Sequence, residues 1–394
     1  MISSEDALRI VLENSSPGGC STLPLDGVTG LVLAEDVHSD TDLPCVDSAA
    51  CDGFAVYGEE LRYELSSGID LPEKTLEKCA FPVRKGDPVP RGTDRVVCRE
   101  RASVEDGILY IEEAPLSGAN VVGRGETAGE GRLLIETGTR LSPQHVGIAA
   151  LAGREVLRVF TRPATAVVSV GDDLVPSTWR MAPGRARDPL MPLLRSQLEC
   201  GGFSPVVVIH ASVEKDRLTE GLEQALSCSE VVLVAGCSGT ASLVLEQMGF
   251  EAVFRSVAQS PAGDLVFAVG KGGGRVFLLP DEPVSAMVAA EEYVLPCLRS
   301  MSGFKGCRKR VYSGESTFDH QKPSGLLSFV GVLAYREGNS WKLHRPEHTR
   351  TSGLPGCASI NALALAAPDR LGITTGEKVP FHFLCSTAAE ISFA

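Results

Sequence analysis

Asp52 lies in the stretch Leu43–Tyr57, LPCVDSAACDGFAVY, where an apolar run, a proline, two acids and small residues lead into Asp52-Gly53-Phe54-Ala55. Asp beside Gly favours a tight turn, because Gly tolerates positive φ and Asp bonds its own backbone. From Phe54 the pattern suits a strand. The stretch predicts a carboxylate on a bend among small neighbours, where a ligand can approach; a plain Asp-Gly turn accounts for the same residues. A second pair of acids, Asp172 and Asp173, follows the apolar run Ala166–Val170 and Gly171. Adjacent residues past a strand end point different ways, so at least one faces the cleft. Two carboxylates there can hold Mg²⁺ together with substrate phosphates; a polar loop or helix cap is the other reading. Gly236-Cys237-Ser238-Gly239 precedes a helix and can cradle an anion on its N–H groups, or is simply a strand-to-helix turn. It is neither a Walker loop nor a nucleophile elbow, since no Lys follows and Ser238 runs straight into Gly239. Leu279-Pro280-Asp281-Glu282-Pro283 is another such turn, with Pro283 at the helix start; its acids suit the helix end but repel an anion. Asp188 stands just before a helix and is explained as its cap. His344 and His348 share a helix-face spacing, but Pro346 makes the segment a loop and leaves a metal role little support.

The elements that position these residues follow from periodicity. Ser3 or Ser4 caps a first helix through Ala7, Leu8, Ile10, Val11 and Leu12, with Glu5 and Asp6 at its positive end. Leu23–Leu25 and Gly30–Leu33 read as short extended pieces. From Phe54 to Leu141, short apolar runs alternate with Gly, Pro and charge, giving a small β-rich module. Gly123–Gly129 within it is not a dinucleotide loop, because the G-x-G-x-x-G spacing and strand-to-helix context are missing. Ser142-Pro143 opens a helix that Gly153 stops. From Pro163 strands (Ala166–Val170, Val206–Ile209, Val231–Ala235, Val276–Leu279) alternate with helices (Leu190–Leu198, Leu218–Leu226, Gly239–Met248, Pro283–Leu298). That alternation predicts a parallel sheet, whose ligands bind at the carboxyl ends of the strands, where the two Gly-rich loops fall. From about Ser300 the tail returns to a β pattern: Leu326–Tyr335, Trp341–Leu343, the Ala- and Leu-rich run Ala362–Ala366, and Val379–Leu384. Its basic cluster, Lys305–Arg310, reads as a solvated linker face.

The chain has 394 residues, 43% hydrophobic and 22% charged, which is ordinary for a globular protein of two to four domains. A net charge of -13 without a basic block argues against duplex nucleic acid and anionic membranes as partners. An anionic substrate would need a local cation. Twelve Cys occur without a C-x-x-C pair, so a structural zinc site has no support. The opening MISSEDALRIVLEN does not read as a signal peptide, and no run of about 18 apolar residues suggests a membrane span. Reduced thiols in a cytoplasm account for the cysteines.

As an ordered set, these stretches resemble the molybdopterin molybdenumtransferase family (MoeA-type, similar to the gephyrin E domain). The resemblance runs to about Gly303. It rests on Leu23–Leu25 through Gly30–Val37, Leu43-Pro44, Asp47-Ser48-Ala49, Asp52–Ala55, Gly125-Glu126, Val168–Leu174, Pro183-Gly184 with Asp188, and Leu279-Pro280 with Pro283-Val284-Ser285. It implies an α/β multidomain fold: an elongated helix and strand domain (1–44 plus 142–162), an inserted β-rich domain (45–141), a central parallel-sheet α/β domain (163–302) and a C-terminal β domain (303–394). It further implies a homodimer whose protomers bind adenylylated molybdopterin and molybdate between them, with Mg²⁺ assisting AMP release and molybdenum insertion. Pathway proteins are the expected partners. Asp52 then becomes the essential acid, Asp173 an acid at the Mg²⁺ and phosphate end, and Gly171, Asp188, Gly236, Ser238, Gly239, Pro280 and Pro283 substrate-binding positions, with Asp172 and Asp173 the metal ligands.

The sequence also departs from that family. The Ser-Gly-Gly loop is Ala235–Gly239 here, shortened and without its acids. The Lys-Pro-Gly-Lys segment is Ser256–Asp264, without Lys. Pro-Gly-Asn-Pro is Pro280-Asp281-Glu282-Pro283, and Lys85 and Thr127 replace a Thr and an Asp. Each lost charge-assisted contact is worth about 1.5–3 kcal/mol, so losing two or three costs roughly two to six powers of ten in affinity for a dianion. Arg185, Arg187 and Lys271 are the expected substitutes. Three functions fit: a working transferase with a rearranged anion site, a non-catalytic member that binds a pterin, nucleotide or pathway partner, and a scaffold dimer.

Overall fold

A computed structural model describes residues 1–66, 78–175, 178–236, 238–346 and 353–384. The chain forms two compact units, one of Met1–Ser21 with Phe160–Ala394, the other Thr22–Val159.

In the second unit, the helix Pro143–Leu151 and the paired strands Val37–His38 and Leu133–Ile135 enclose one core, with Val28, Leu33, Leu141, Ala149 and Val159. A six-stranded sheet carries two more. Its order is Arg95–Cys98, Gly53–Val56, Cys79–Val83, Arg62–Leu65, Ile108–Ile111, Ala102–Glu105. Successive strand residues face opposite sides, and neighbours therefore divide between the cores: Ala55 and Val96 pack with Phe81 and Val83, while Val56 and Val97 pack with Tyr63 and Leu109.

The first unit is built on a sheet in the order Val207–Ala211, Thr165–Val170, Val231–Ala235, Arg275–Leu279, Val266–Gly270, Phe250–Phe254. The first four strands are parallel, as the alternation predicts. The last two are antiparallel additions that the periodicity did not reveal. The hairpin into Arg275–Leu279 turns at Gly273, which has φ +83°, so the glycine run is a turn between strands. Buried residues of the helices Leu190–Cys200 and Pro283–Ala289 cover one face, and those of Lys215–Cys228 and Ser238–Gln247 the other.

Two expectations change. Residues 1–44 do not stay together: the first helix, Ser4–Glu13, joins the α/β core through Ala7 and Val11. The reason is its i, i+4 apolar stripe, reinforced by Ser4 Oγ against Tyr293 Oη at 2.9 Å and by Ser15 Oγ donating to Cys297 Sγ at 3.0 Å. The basic cluster is not wholly solvated either. Lys309 is buried, paired with Glu291, and Glu291 accepts from Gln197 Nε2 at 2.6 Å. Glu291 sits in a π-helical turn, Ala290–Val294, between helical segments Pro283–Ala289 and Leu295–Met301. Pro296, which has no N–H to give the helix, follows directly.

The tail strands Leu327–Glu337, Ser340–His344, Tyr312–Ser316, Lys378–Phe383 and Ala362–Ala366 pair in that order, and the last closes on the first. Closure leaves no free edge among these strands. Ala362–Ala366 is buried because small side chains suit this interior. Gln259–Ser260 adds in parallel to Leu327–Glu337. Among the described residues, no helix is long and apolar enough to cross a membrane.

Candidate functional site

Asp52 is exposed at the start of the strand Gly53–Val56. Its Oδ1 accepts from Lys85 N–H at 2.7 Å, and its carbonyl accepts from Arg99 N–H at 3.0 Å. One bond to the carboxylate and one to the carbonyl thus fix the turn. Gly53 is required, but not for positive φ. A Cβ there would lie 1.9 Å from the Val97 carbonyl oxygen, so the constraint is close backbone approach. Next to Asp52, Cys51 Sγ stands 2.8 Å from Cys98 Sγ. Burial, then the hydrogen bond with Cys98, pushes the Cys51 thiol up to about 12.

The other candidates lie in the first unit. Strand register sets Ser169, Ala235 and Leu279 side by side, so Gly171, Gly236 and Pro280 share the carboxyl edge of the parallel strands. Gly236 has φ +89°, and a Cβ there would meet the Val170 carbonyl at 2.5 Å. Only glycine meets both demands. Asp172 and Asp173 are exposed on the loop that follows Gly171. Asp172 Oδ1 accepts from Val213 N–H at 3.2 Å, and its carbonyl accepts from the Arg185 guanidinium. The strand Leu174–Val175 pairs with Ala186–Arg187, and Asp188 N–H donates to the Val175 carbonyl at 3.1 Å. Asp173 precedes the first of these parallel strands, and Asp188 follows the second. Asp188 Oδ1 accepts from Leu190 N–H at 2.9 Å, as a cap should. Its buried Oδ2 has no protein partner, which capping leaves unexplained.

Gly239 lines a depression with Ser242, Glu246 and Arg255, whose guanidinium is bonded to Ser242 and Glu246. Ser238 opens the helix Ser238–Gln247; Cys237 and the Ser238 side chain lie outside the described residues, as does His348. Glu282 accepts from Ser285 N–H at 2.7 Å and caps the helix that Pro283 begins.

Pro283 also borders a cavity of about 570 Å³ with Pro261, Met287 and Phe329, and with His320 and Arg345 from the β domain. This volume suits a small ligand. Arg345 Nη1 lies 3.2 Å from His320 Nδ1. Burial, followed by the Arg345 and Lys322 charges, holds the imidazole below its ordinary range. Sequence reasoning missed both residues, because no local motif marks them and only the closed barrel brings them to Pro261 and Pro283. The expected substitutes fare unequally. Arg185 is at the acid loop, and Arg187 donates to the Trp179 carbonyl at 3.4 Å. Lys271 is at the hairpin before Arg275, the opposite end of that strand from Pro280, and cannot serve the carboxyl edge.

No group of three or more His, Cys, Asp or Glu gathers as a metal cage among the described residues. Mg²⁺ needs only one or two carboxylates when phosphates and water complete its shell. Asp172 and Asp173 fit that open arrangement.

Residues 2–153 match the model of the MoeA N-terminal region (domain I and II), and residues 166–300 match that of a probable molybdopterin binding domain. The chain is 27% identical over 357 residues to the molybdopterin molybdenumtransferase of Synechococcus elongatus, covering 82% of this chain and 85% of the relative. It is 28% identical over 384 residues to that of Haemophilus influenzae, covering 92% and 94%. Two structures of the molybdopterin biosynthesis MoeA protein from Pyrococcus horikoshii superpose with TM-scores of 0.82 and 0.78 at 22% and 21% identity. They cover 98% and 97% of this chain and 99% and 100% of their own.

Proposed function

The chain belongs to the MoeA-type molybdopterin molybdenumtransferase family, and from that premise we propose that it inserts molybdenum from molybdate into adenylylated molybdopterin, releasing AMP. The carboxyl edge of the sheet carries this reading: Gly171, Gly236 and Pro280 all follow strand ends there, and the exposed Asp172 and Asp173 come directly after Gly171.

Each group has a task that its geometry permits. Gly236 and Gly239 let the pyrophosphate approach backbone N–H groups at the strand-to-helix turn. Arg185, beside Asp172, offsets phosphate charge. Asp172 and Asp173 would hold Mg²⁺, which supplies further neutralisation of the phosphates. Asp188 offers Oδ2 to a substrate hydroxyl or amine, since a buried carboxylate oxygen without a partner is costly. Arg345 and His320 replace the missing lysines and receive molybdate in the cavity beside Pro261 and Pro283. Asp52 is the essential acid, its turn fixed by the Lys85 and Arg99 N–H groups. The acting species is a homodimer in the cytoplasm.

The missing lysines favour a second reading, in which the chain binds these ligands without turnover. Incubating the purified protein with adenylylated molybdopterin, molybdate and Mg²⁺ separates the two. Stoichiometric or catalytic AMP release with active cofactor supports transfer; tight binding without AMP leaves only the binding role. Sedimentation velocity tests the dimer, which a monomer at micromolar concentration would overturn.

A further inference from the structure

We propose that Cys51 and Cys98 form a reversible disulfide that tethers the Asp52 turn, making this pair a redox modification site of the Thr22–Val159 unit. Their sulfurs stand 2.8 Å apart although 47 positions separate them in sequence. The sheet creates this proximity. Gly53 is the register partner of Cys98, and the Asp52 carbonyl accepts from Arg99 N–H. Cys51 and Cys98 therefore flank the same bend, one just before Asp52 and the other just before Arg99. The absent Gly53 side chain allows the two strands to meet this closely.

A disulfide has a sulfur separation of about 2.04 Å, so closure needs a movement of about 0.8 Å. Both thiols are half-buried and remain within reach of a small reagent. By contrast, Cys297 is fully buried and its sulfur contacts Ser15 and Met301, while Cys20, Cys45, Cys200 and Cys228 are exposed. Among the described residues, no other two cysteine sulfurs are in contact.

The oxidant is a low-molecular-weight disulfide. Burial raises the Cys51 thiol, and Cys98, its half-buried partner, supplies the attacking sulfur. Its thiolate attacks one sulfur of the reagent, breaks the S–S bond and releases one thiolate. Cys51 then gives its proton to solvent and attacks the Cys98 sulfur of the mixed disulfide, releasing the second thiolate. Two protein thiols and one reagent disulfide thus become one protein disulfide and two reagent thiols.

The test uses the full chain and glutathione disulfide at neutral pH, followed by acid quenching, alkylation, digestion and mass spectrometry. The expected product is a linked peptide joining Cys51 to Cys98, about 2 Da lighter than the two thiol peptides together. Dithiothreitol reverses it, and neither Cys51→Ser nor Cys98→Ser forms it. Closing so long a loop should also raise the melting temperature of the oxidised wild type by about 5 °C, with no rise in either variant. Recovery of both residues as free thiols, or as separate glutathione adducts, after the exposed cysteines have reacted would overturn the proposal. A linked peptide without a higher melting temperature would overturn the tether. Neither readout involves turnover, so failure here and failure of the transferase reading remain distinguishable.

Discussion

The Asp52 turn and the carboxyl edge of the α/β sheet present opposite kinds of site. The turn is held by backbone donors: Lys85 N–H on the Asp52 carboxylate and Arg99 N–H on its carbonyl, while Gly53 accommodates the Val97 carbonyl. The edge retains a comparable backbone frame at Gly171, Gly236 and Pro280, but the family lysines beside it are absent. Arg185 stands at the acid loop, and Arg345 lies in the neighbouring cavity beside the depressed imidazole of His320. Backbone geometry therefore outlasts charge in this chain. A frame made of main-chain bonds tolerates side-chain change, whereas a point charge can be relocated wherever another segment reaches the same space.

The comparison can be broken in four places. The largest effect is expected from Asp52→Ala. AMP release should fall about a thousandfold, while the circular-dichroism melting curve shifts only by the loss of the Lys85 bond to the carboxylate, the Arg99 bond being retained. Retained turnover would reduce the turn to a structural feature. Next is Gly236→Ala, which adds a Cβ against the Val170 carbonyl at positive φ and should cost about 3 kcal/mol of stability. Urea unfolding measures it, and a neutral result would show that the frame is softer than its geometry implies.

Arg345→Ala should weaken molybdate binding about tenfold to a hundredfold in calorimetry, the value of one charge-assisted contact. Arg345→Lys should recover part of that loss. No loss would return the anion to Arg185. The smallest effect is a pH dependence. His320 titrates below its ordinary 6.5 because of burial, Arg345 and Lys322, so it is neutral at pH 7 and gains charge on acidification. Molybdate affinity should rise as the pH falls below 6.5, where the imidazole takes up its charge, and His320→Ala should flatten that slope. The stability sign is the reverse. The unfolded chain takes up this proton first, so stability without ligand falls as pH drops below 6.5.

Much of the frame was legible because it is local. Ser3 and Pro283 marked helix starts, and the apolar runs at Ala166–Val170 and Val231–Ala235 marked buried parallel strands. Asp52, Gly236 and Pro280 were legible as punctuation between such elements. Phe250–Phe254 and Val266–Gly270 were not, because an antiparallel addition beside a glycine-rich hairpin lacks the strand-helix alternation. Arg345 and His320 carry no local signal; they meet Pro261 and Pro283 only after the barrel closes. Asp188 was half read. The cap was visible in its position, but the unpartnered Oδ2 requires three dimensions.

The Glu291–Lys309 pair joins a helix of the α/β sheet to the chain that enters the barrel, and Lys309 also reaches the Phe383 carbonyl. Removing one partner of a buried pair costs about 3–5 kcal/mol, a large share of the 5–15 kcal/mol that holds a typical domain folded. These two positions therefore constrain each other. Loss of Lys309 alone would endanger the fold before selection could act on the site, so replacement is viable chiefly when Glu291 changes with it. The barrel is thus held to the helix beside it through one buried pair.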